Sequence, residues 1–362
     1  MLVTDFDYSL PRAQIAKHPP KQRGTTRLLV LNRHTGALTD SHYANLDEYL
    51  NPGDVIILND TKVMQARIFC VLPNGHPREL VVLENHNSTG PTRVMYRGKL
   101  HKGDVLSILT PGVKNPTNLN FHKVNMACKY HQKILLRSSE KITVKQVLPG
   151  GIAEVESNTD INELTERFGN VPLPPYLRRD ADADDRVRYQ TLWAKNMGSA
   201  AAPTASLNMT DELLDRLKQK GVIVKYLTLH VGLGTFLPIR TDNIEDHKMH
   251  SEWYNIPDDT LEAIRSAKSG GHRVVALGTT VARTLEYYAK TGEPTGEDNI
   301  FIYPGYEFQI VDALVTNFHA PKSTVLMLAA AFAGWDHLKP AYHHALNEKY
   351  DFLSYGDSMF IC

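Results

Sequence analysis

The sequence predicts an α/β main domain interrupted by an inserted all-β domain, a small antiparallel barrel, and three observations carry that prediction. Short β-branched runs separated by Gly, Pro and Asn fill residues 65–147. From about residue 210 onward, helix, Gly, strand and turn signals repeat in that order. Ahead of the β-rich stretch stands Asp54-Val-Ile-Ile-Leu-Asn59, a continuous apolar run of the kind found in strands covered on both faces. The expected organisation is a discontinuous α/β domain over 1–64 and 148–362, with the barrel over 65–147.

The elements follow in order. RIFCVL, ELVVLEN, TRVMYRG, DVLSILT, KVNMACKY and QKILLRS read as strands between residues 65 and 147. Several short strands at such spacing close into a barrel or sandwich, because a lone meander leaves open edges. Residues 210–221 carry a Thr start signal, apolar residues at helical spacing and a closing Gly, so they predict a helix. Residues 222–231 predict the strand that follows it. Residues 258–271 and 272–292 repeat helix, Gly, strand, turn and helix, and residues 313–334 supply a strand, a polar loop and a helix.

Composition bounds the function. A chain of 362 residues is long enough for two domains and a large core. Forty basic and forty acidic residues cancel, which argues against attachment to nucleic acid by bulk charge but leaves room for local patches. Two such clusters are Lys17, Lys21, Arg23 and Arg27, and Arg178, Arg179, Arg186 and Arg188 around an acidic run; a solvated surface face is the plain alternative for each. The three cysteines are odd in number and lack Cys-x-x-Cys spacing, which points to a reducing cytoplasm. The N-terminal stretch lacks a signal pattern, and no run approaches a membrane span.

The densest chemistry lies between Ala200 and Glu252. His230-Val-Gly232-Leu-Gly234-Thr235-Phe directly follows a predicted strand, where α/β folds bind ligands. Leu237 occupies the place of a third glycine, so a dinucleotide fingerprint is absent, and a tight structural turn is the other reading of the glycines. Thr279 and Thr280 stand between strand and helix as possible caps, one turn before Arg283, which has Glu286 or an RNA phosphate as prospective partner. Asp246, His247, His250 and Glu252 lack the His-Glu-x-x-His arrangement, so acid/base work or ribose hydrogen bonding is preferred to a metal, and none is assigned. Thr316-Asn317-Phe-His319 forms another polar strand-end loop, with a satisfied buried histidine as the plain alternative. Residues 350–361 read as docked aromatic packing.

The order of these motifs resembles the S-adenosylmethionine:tRNA ribosyltransferase-isomerase family across essentially the whole chain. The collinear fragments include Leu50-Asn-Pro-Gly-Asp54, Asn59-Asp-Thr61, Pro172-Leu-Pro-Pro-Tyr176, Ala201-Ala-Pro-Thr-Ala205, Thr228 to Phe236, His250-Ser-Glu252, Gly278-Thr-Thr280, Arg283-Thr-Leu-Glu286, Thr316-Asn-Phe-His319 and Ser354-Tyr-Gly-Asp357. The resemblance implies an α/β domain interrupted by a β-barrel. It also implies S-adenosylmethionine as a consumed ribosyl donor, with no permanently bound cofactor, and tRNA carrying 7-aminomethyl-7-deazaguanine as acceptor. In the implied reaction the sulfonium acidifies the 5′ C–H, a base removes the proton and adenine leaves. The acceptor amine captures the sugar, and rearrangement to the epoxycyclopentane releases methionine, giving epoxyqueuosine-tRNA. A cytoplasmic monomer is expected.

On that resemblance, His230, His319 and Glu252 are the catalytic candidates, imidazole being suited to proton transfer near neutral pH. Thr204, Asn208, Gly232, Gly234, Thr235, His250, Thr279, Thr280, Arg283 and Asn317 are the substrate-binding candidates. Arg23, Arg27, Lys62, Arg67 and Arg178 are the expected RNA contacts. The chain departs from the family pattern at Ser206, where glycine is usual, at Asn208 for histidine, and at Val281 for serine. Lys62 and Gln65 replace the usual Arg and Pro. Asn208 donates and accepts hydrogen bonds but carries no proton, so binding is expected to survive more readily than proton transfer. Beside an authentic ribosyltransferase-isomerase stand two alternatives: a diverged paralogue using another nucleoside donor or acceptor, and a catalytically silent tRNA-binding protein.

Overall fold

The computed structural model describes residues 1–83, 91–111, 124–128, 131–232, 239 and 241–362. In chain order the early strands are β1 (Arg27–Leu31), β2 (Leu38–His42), β3 (Val55–Asn59) and the short β4 (Thr61–Val63). The β-rich stretch contributes β5 (Arg67–Val71), β6 (Pro77–Val82), β7 (Thr92–Arg97), β8 (Val105–Pro111), β9 (Val124–Cys128), β10 (His131–Leu148) and β11 (Ile152–Ser157). Helices α1 (Ile161–Phe168) and α2 (Ala183–Arg188) and the short β12 (Asn196–Ser199) follow. The remainder is α3 (Asp211–Gln219), β13 (Ile223–Leu229), β14 (Glu252–Asn255), α4 (Asp258–Ser269), β15 (Val274–Leu277), α5 (Thr279–Thr291), β16 (Thr295–Asp298), β17 (Ala313–Asn317), α6 (Thr324–Ala333), α7 (Trp335–Asn347) and β18 (Ser358–Ile361).

The chain divides into two units. The first comprises Met1–Lys62, Arg188–Asn196 and Ala202–Cys362, the second Val63–Val187 and Met197–Ala201. In the second, the strand order β11-β7-β6-β5-β8-β10, together with a direct β10–β11 pairing, closes an antiparallel barrel of six strands, to which β9 adds beside β10. The second unit runs past residue 147, where the sequence placed its end. Strand β10 continues to Leu148, turns through Gly150 and Gly151 at φ 80° and 79°, and returns as β11. Without β11 the sheet would keep two open edges, which closure removes.

The first unit is built on a sheet of order β16-β14-β13-β3-β15-β17-β18-β1-β2. Strands β13, β3, β15 and β17 are mutually parallel, with Ile56 flanked by Val224 and Val275. Every residue of β3 is buried, as the run of apolar side chains requires of a central strand. Helix α3 is capped as its sequence announced, Thr210 Oγ1 accepting from Leu213 N at 3.2 Å. It lays Leu213, Leu214 and Leu217 over Leu28, Ile56, Leu58, Val275 and Val315 in the core of this unit. Burying each such side chain contributes roughly 1.5–3 kcal/mol.

Helix α5 departs from expectation in its first turn. Gly278, at φ 104°, is the N-cap, and no side chain caps the helix; Thr279 and Thr280 are its first two residues. Glu286, further along α5, is fully buried and gathers the loop before β17: its carboxylate accepts from the backbone N–H groups of Gln309, Ile310 and Val311 at 2.8–2.9 Å. Glu286→Gln replaces one acceptor oxygen with a donor, so it is expected to lower stability by roughly 1–3 kcal/mol for each N–H left without an acceptor. A urea midpoint unchanged from wild type would contradict this anchoring role.

Candidate functional site

The topology of the first unit directs the chemistry to one edge of its sheet. Parallel strands β13, β3, β15 and β17 end at Leu229, Asn59, Leu277 and Asn317, so the residues that follow them, His230, Asp60, Gly278 and Phe318, lie at the same carboxyl edge. Antiparallel β14 begins there with Glu252, which pairs in register with Asp298 at the end of β16. Antiparallel β18 brings Ser358 opposite Asn317, placing Asp357 beside it. Motifs separated by up to three hundred residues thus meet because strand direction alternates at the flanks of a parallel centre.

At one end of this edge is a buried charge network. Arg283 Nε donates to Asp298 Oδ2 at 2.9 Å, and a terminal guanidinium nitrogen donates to Glu252 Oε2. Glu252 Oε1 accepts from Gly232 N at 2.7 Å and pairs with His250 Nε2 at 3.1 Å. Burial opposes ionisation of Glu252, but the guanidinium, His250 and the Gly232 N–H outweigh it and hold its pKa at about 2. Asp298 Oδ1 accepts from Ile300 N at 2.9 Å. Burial raises the Asp298 pKa even though Arg283 opposes the shift. Arg283 is therefore joined to Glu252 and Asp298, and Glu286, its sequence-predicted partner, serves the loop instead.

Next along the edge, His230 Nδ1 lies 2.8 Å from Thr61 Oγ1, and its ring stacks on Trp253 with centroids 5.0 Å apart and planes at 21°. Its backbone N–H donates to Trp253 O at 2.9 Å. Asn59 clamps the end of β13, Nδ2 donating to Leu229 O at 2.9 Å while Oδ1 accepts from Thr61 N and Leu229 N at 3.0 and 3.1 Å. These contacts hold the imidazole at Nδ1, ring plane and backbone, the fixed placement that a proton-transfer group needs. Asn59, Thr61, Trp253 and Asp298 were not read as site residues. The Asn59-Asp-Thr61 motif signalled the first two; Trp253 and Asp298 gave no local signal.

At the far side, Thr204 Oγ1 donates to Asn317 Oδ1 at 2.8 Å, and Asn317 Nδ2 donates to Asp357 O at 3.4 Å. His319 Nε2 lies 2.8 Å from Thr316 Oγ1; the backbone N–H of His319 donates to the Tyr342 hydroxyl at 2.9 Å, and its backbone carbonyl accepts from the Tyr8 hydroxyl. Burial pushes the His319 pKa down to about 3, so its imidazole is neutral at neutral pH. Asn208 Nδ2 donates to Gly356 O at 3.2 Å, tying the Thr204–Ser206 turn to the chain ahead of β18. Ser206 Oγ is buried with no hydrogen-bond partner among the described residues, and Val281 is fully buried in α5. Gly234 and Thr235 lie outside the described residues.

A recess opens between the start of α5, the start of α6 and the segment 300–302. It is lined by Glu252, Thr279, Thr280 and Arg283 together with Met249, Ile300, Phe301, Ile302, Thr324, Val325 and Leu328.

The basic candidates divide. Arg27 donates to Glu348 O at 2.8 Å, pairs with Asp40 and lies over the Tyr350 ring at 3.6 Å. Arg67 pairs with Glu79 at 3.1 Å within the barrel. Arg23 donates to Gln190 O at 3.1 Å and Arg188 to Pro20 O at 2.9 Å, so the two clusters remote in sequence come together there; burial, with Arg188 nearby, lowers the Arg23 pKa. Lys62 and Arg178 are exposed. Among the described residues, no group of three or more His, Cys, Asp or Glu is arranged to hold a metal, and no helix is long and apolar enough to cross a membrane.

Comparison with known proteins places this geometry in context. The family model described as queuosine biosynthesis protein matches residues 3–361. Relatives named S-adenosylmethionine:tRNA ribosyltransferase-isomerase from Pelodictyon phaeoclathratiforme and Chlorobium phaeovibrioides are 51% and 50% identical, each alignment covering 100% of both chains. The crystal structure of S-adenosylmethionine tRNA ribosyltransferase from Thermotoga maritima is similar with a TM-score of 0.53 and 31% identity, over 99% of this chain and 100% of that one.

Proposed function

Because this chain belongs to the queuosine biosynthesis protein family, we propose that it transfers and isomerises the ribosyl moiety of S-adenosylmethionine onto 7-aminomethyl-7-deazaguanine at the tRNA wobble position, with release of adenine and methionine. The observation that supports siting the reaction at the sheet edge is the convergence of His230, Glu252, Thr279, Thr280, Asn317 and His319 at the ends of separate strands and the start of α5. The donor is consumed, and the chain's own residues supply positioning and proton transfer.

His230 is the proposed acid/base group. Thr61, Trp253 and the Leu229 clamp fix its ring, and removal of the acidified 5′ proton needs a base held within hydrogen-bond reach. Glu252 acts at one remove. Both its oxygens are engaged and its pKa is about 2, which makes it a poor base and a firm support for Gly232 and His250. His319 remains neutral, a hydrogen-bonding group beside Asn317, whose amide is oriented by Thr204. Exposed Lys62 and Arg178 are the proposed phosphate contacts, whereas Arg27 and Arg67 are held by internal partners. The tRNA substrate supports a cytoplasmic setting, and the working unit is proposed to be a monomer, testable by gel filtration beside the assay.

The reaction class is tested by label partition. With S-adenosylmethionine labelled separately in the methyl group and in the ribose, ribose label is expected in tRNA and methyl label in free methionine. Methyl label in tRNA would overturn ribosyl transfer.

A further inference from the structure

We propose that the segment Met1–Tyr8 is a strap that ties the loop after β17 to the connection between β13 and β14, and that Tyr8 is the positioning residue through which it sets His319. This deepens the ribosyl-transfer reading and rests on it, since both stretches flank the candidate site within the first unit. At one end Val3 N donates to Asp242 O at 2.9 Å and Ile244 N donates to Met1 O at 3.1 Å, with Leu2 bridging Asn243 antiparallel between them. Residues 242–244 lie on the connection that leads from Gly232 to His250 and Glu252. At the other end Phe6, Asp7 and Tyr8 each hold the 319–322 loop. Lys322 N donates to Phe6 O at 3.0 Å, Lys322 Nζ donates to Asp7 Oδ2 at 2.8 Å, and the Tyr8 hydroxyl donates to the His319 carbonyl.

These contacts are of unequal weight. The Lys322–Asp7 pair is exposed on both sides and contributes little. Phe6 is buried against Trp335, the ring centroids 4.9 Å apart, so its carbonyl is a fixed acceptor. Lys322 has φ 56°, a left-handed conformation that costs a residue with a side chain about 1–3 kcal/mol and persists only where neighbours impose it. The Phe6 carbonyl is the neighbour that takes its N–H. Tyr8 packs edge-on against Tyr342 with centroids 5.3 Å apart, and the two hydroxyls hold the His319 backbone from both sides, one giving to its carbonyl and the other taking its N–H. Burial raises the Tyr8 pKa, so the phenol keeps the proton it donates. His319 is neutral and has no ion pair to anchor it, so the direction of its imidazole follows from this grip on its backbone and from Thr316.

The test measures donor kinetics of the full-length protein with tRNA carrying 7-aminomethyl-7-deazaguanine held saturating. Tyr8→Phe removes only the hydroxyl and is expected to raise the S-adenosylmethionine KM about 3–10-fold, the worth of one hydrogen bond, with kcat within about 2-fold of wild type. Tyr254→Phe is the matched control, since its hydroxyl also donates to a backbone carbonyl, that of Glu293 at 2.6 Å, just past the end of α5 opposite the site. It is expected to leave the donor KM within about 2-fold, whatever it costs in melting temperature. An unchanged KM in Tyr8→Phe, a loss confined to kcat, or an equal rise of KM in Tyr254→Phe would overturn the positioning role. Hydrogen exchange on the wild type tests the strap without any variant: donor binding is expected to slow the amides of Ile244 and Lys322 together. Slowing of one alone, or of neither, would overturn it. Failure of the underlying reading is separate, since the wild type would then release no adenine with reactive tRNA.

Discussion

Arg283→Met is expected to abolish adenine release and to destabilise the protein by about 3–5 kcal/mol, the usual consequence of removing one partner from a buried ion network. The guanidinium is the shared partner of Glu252 and Asp298, and both carboxylates are buried. Methionine fills much of the volume but leaves the two carboxylates facing each other across an apolar gap. The defect should be pH-dependent in a defined direction. In the wild type the Glu252 pKa is depressed from 4.5 to about 2, so its contribution to stability is fully present above about pH 4.5 and is lost as pH falls towards 2. Without Arg283 the depression disappears and protonation relieves the repulsion. The stability gap between Arg283→Met and wild type, measured by urea denaturation, should therefore be constant above about pH 4.5 and narrow as pH falls from there towards 2. A gap that stays constant over that fall would mean that the network is not held by charge. Arg283→Lys should recover only part of the loss, since an ammonium lacks the planar fork that spans both carboxylates.

His230→Asn is expected to lower the rate of adenine release about 10²–10⁴-fold, the range for loss of a positioned acid/base group. Asparagine retains a hydrogen-bonding reach towards Thr61, so the end of β13 should persist and the melting temperature should change little. The loss should fall on kcat rather than on donor affinity, because a proton-transfer group acts mainly in the transition state. His319→Asn provides the contrast. That imidazole is already neutral at neutral pH, and its backbone is held by Tyr342 and Tyr8, so its replacement is expected to affect donor binding more than the chemical step. If His319→Asn stopped single-turnover adenine release while His230→Asn did not, the two roles would be reversed.

How much of this was legible in the sequence depends on whether the cause was local. The apolar runs of β3, β13 and β15, the Thr210 cap of α3 and the Ser323 cap of α6 are set by neighbouring residues, and all could be read. The polar loops after β13, β15 and β17 were recognised because a strand followed by Gly, Thr or Asn marks the ligand edge of an α/β sheet. Partnerships across the sheet were not legible. Arg283 meets Glu252 and Asp298 only because β14 and β16 run antiparallel at that flank, while the chain offered Glu286 one helical turn away. Arg27 and Arg67 looked like solvent-facing cations for the same reason, since Asp40 and Glu79 reach them through strand pairing. Strand β11 lies beyond the β-rich run of 65–147, and its pairing with β10 is a property of the closed sheet rather than of any local run.

The substitutions that set this chain apart from the family pattern bear on activity in different ways. Val281 is packed in the core of α5, where a hydroxyl would need a partner. Asn208 uses its amide to hold Gly356, a positioning role that requires no proton. Ser206 carries a buried hydroxyl that the described structure does not explain. None of the three lies among the groups proposed to move protons, so the account predicts a functional enzyme.

The most direct measurement is to incubate the purified protein with S-adenosylmethionine and tRNA carrying 7-aminomethyl-7-deazaguanine, follow adenine release, and digest the tRNA for epoxyqueuosine by mass spectrometry. The predicted result is adenine and epoxyqueuosine formed in equal amounts. Tight tRNA binding with neither product would contradict the account and leave a silent binder or a paralogue with a different donor or acceptor.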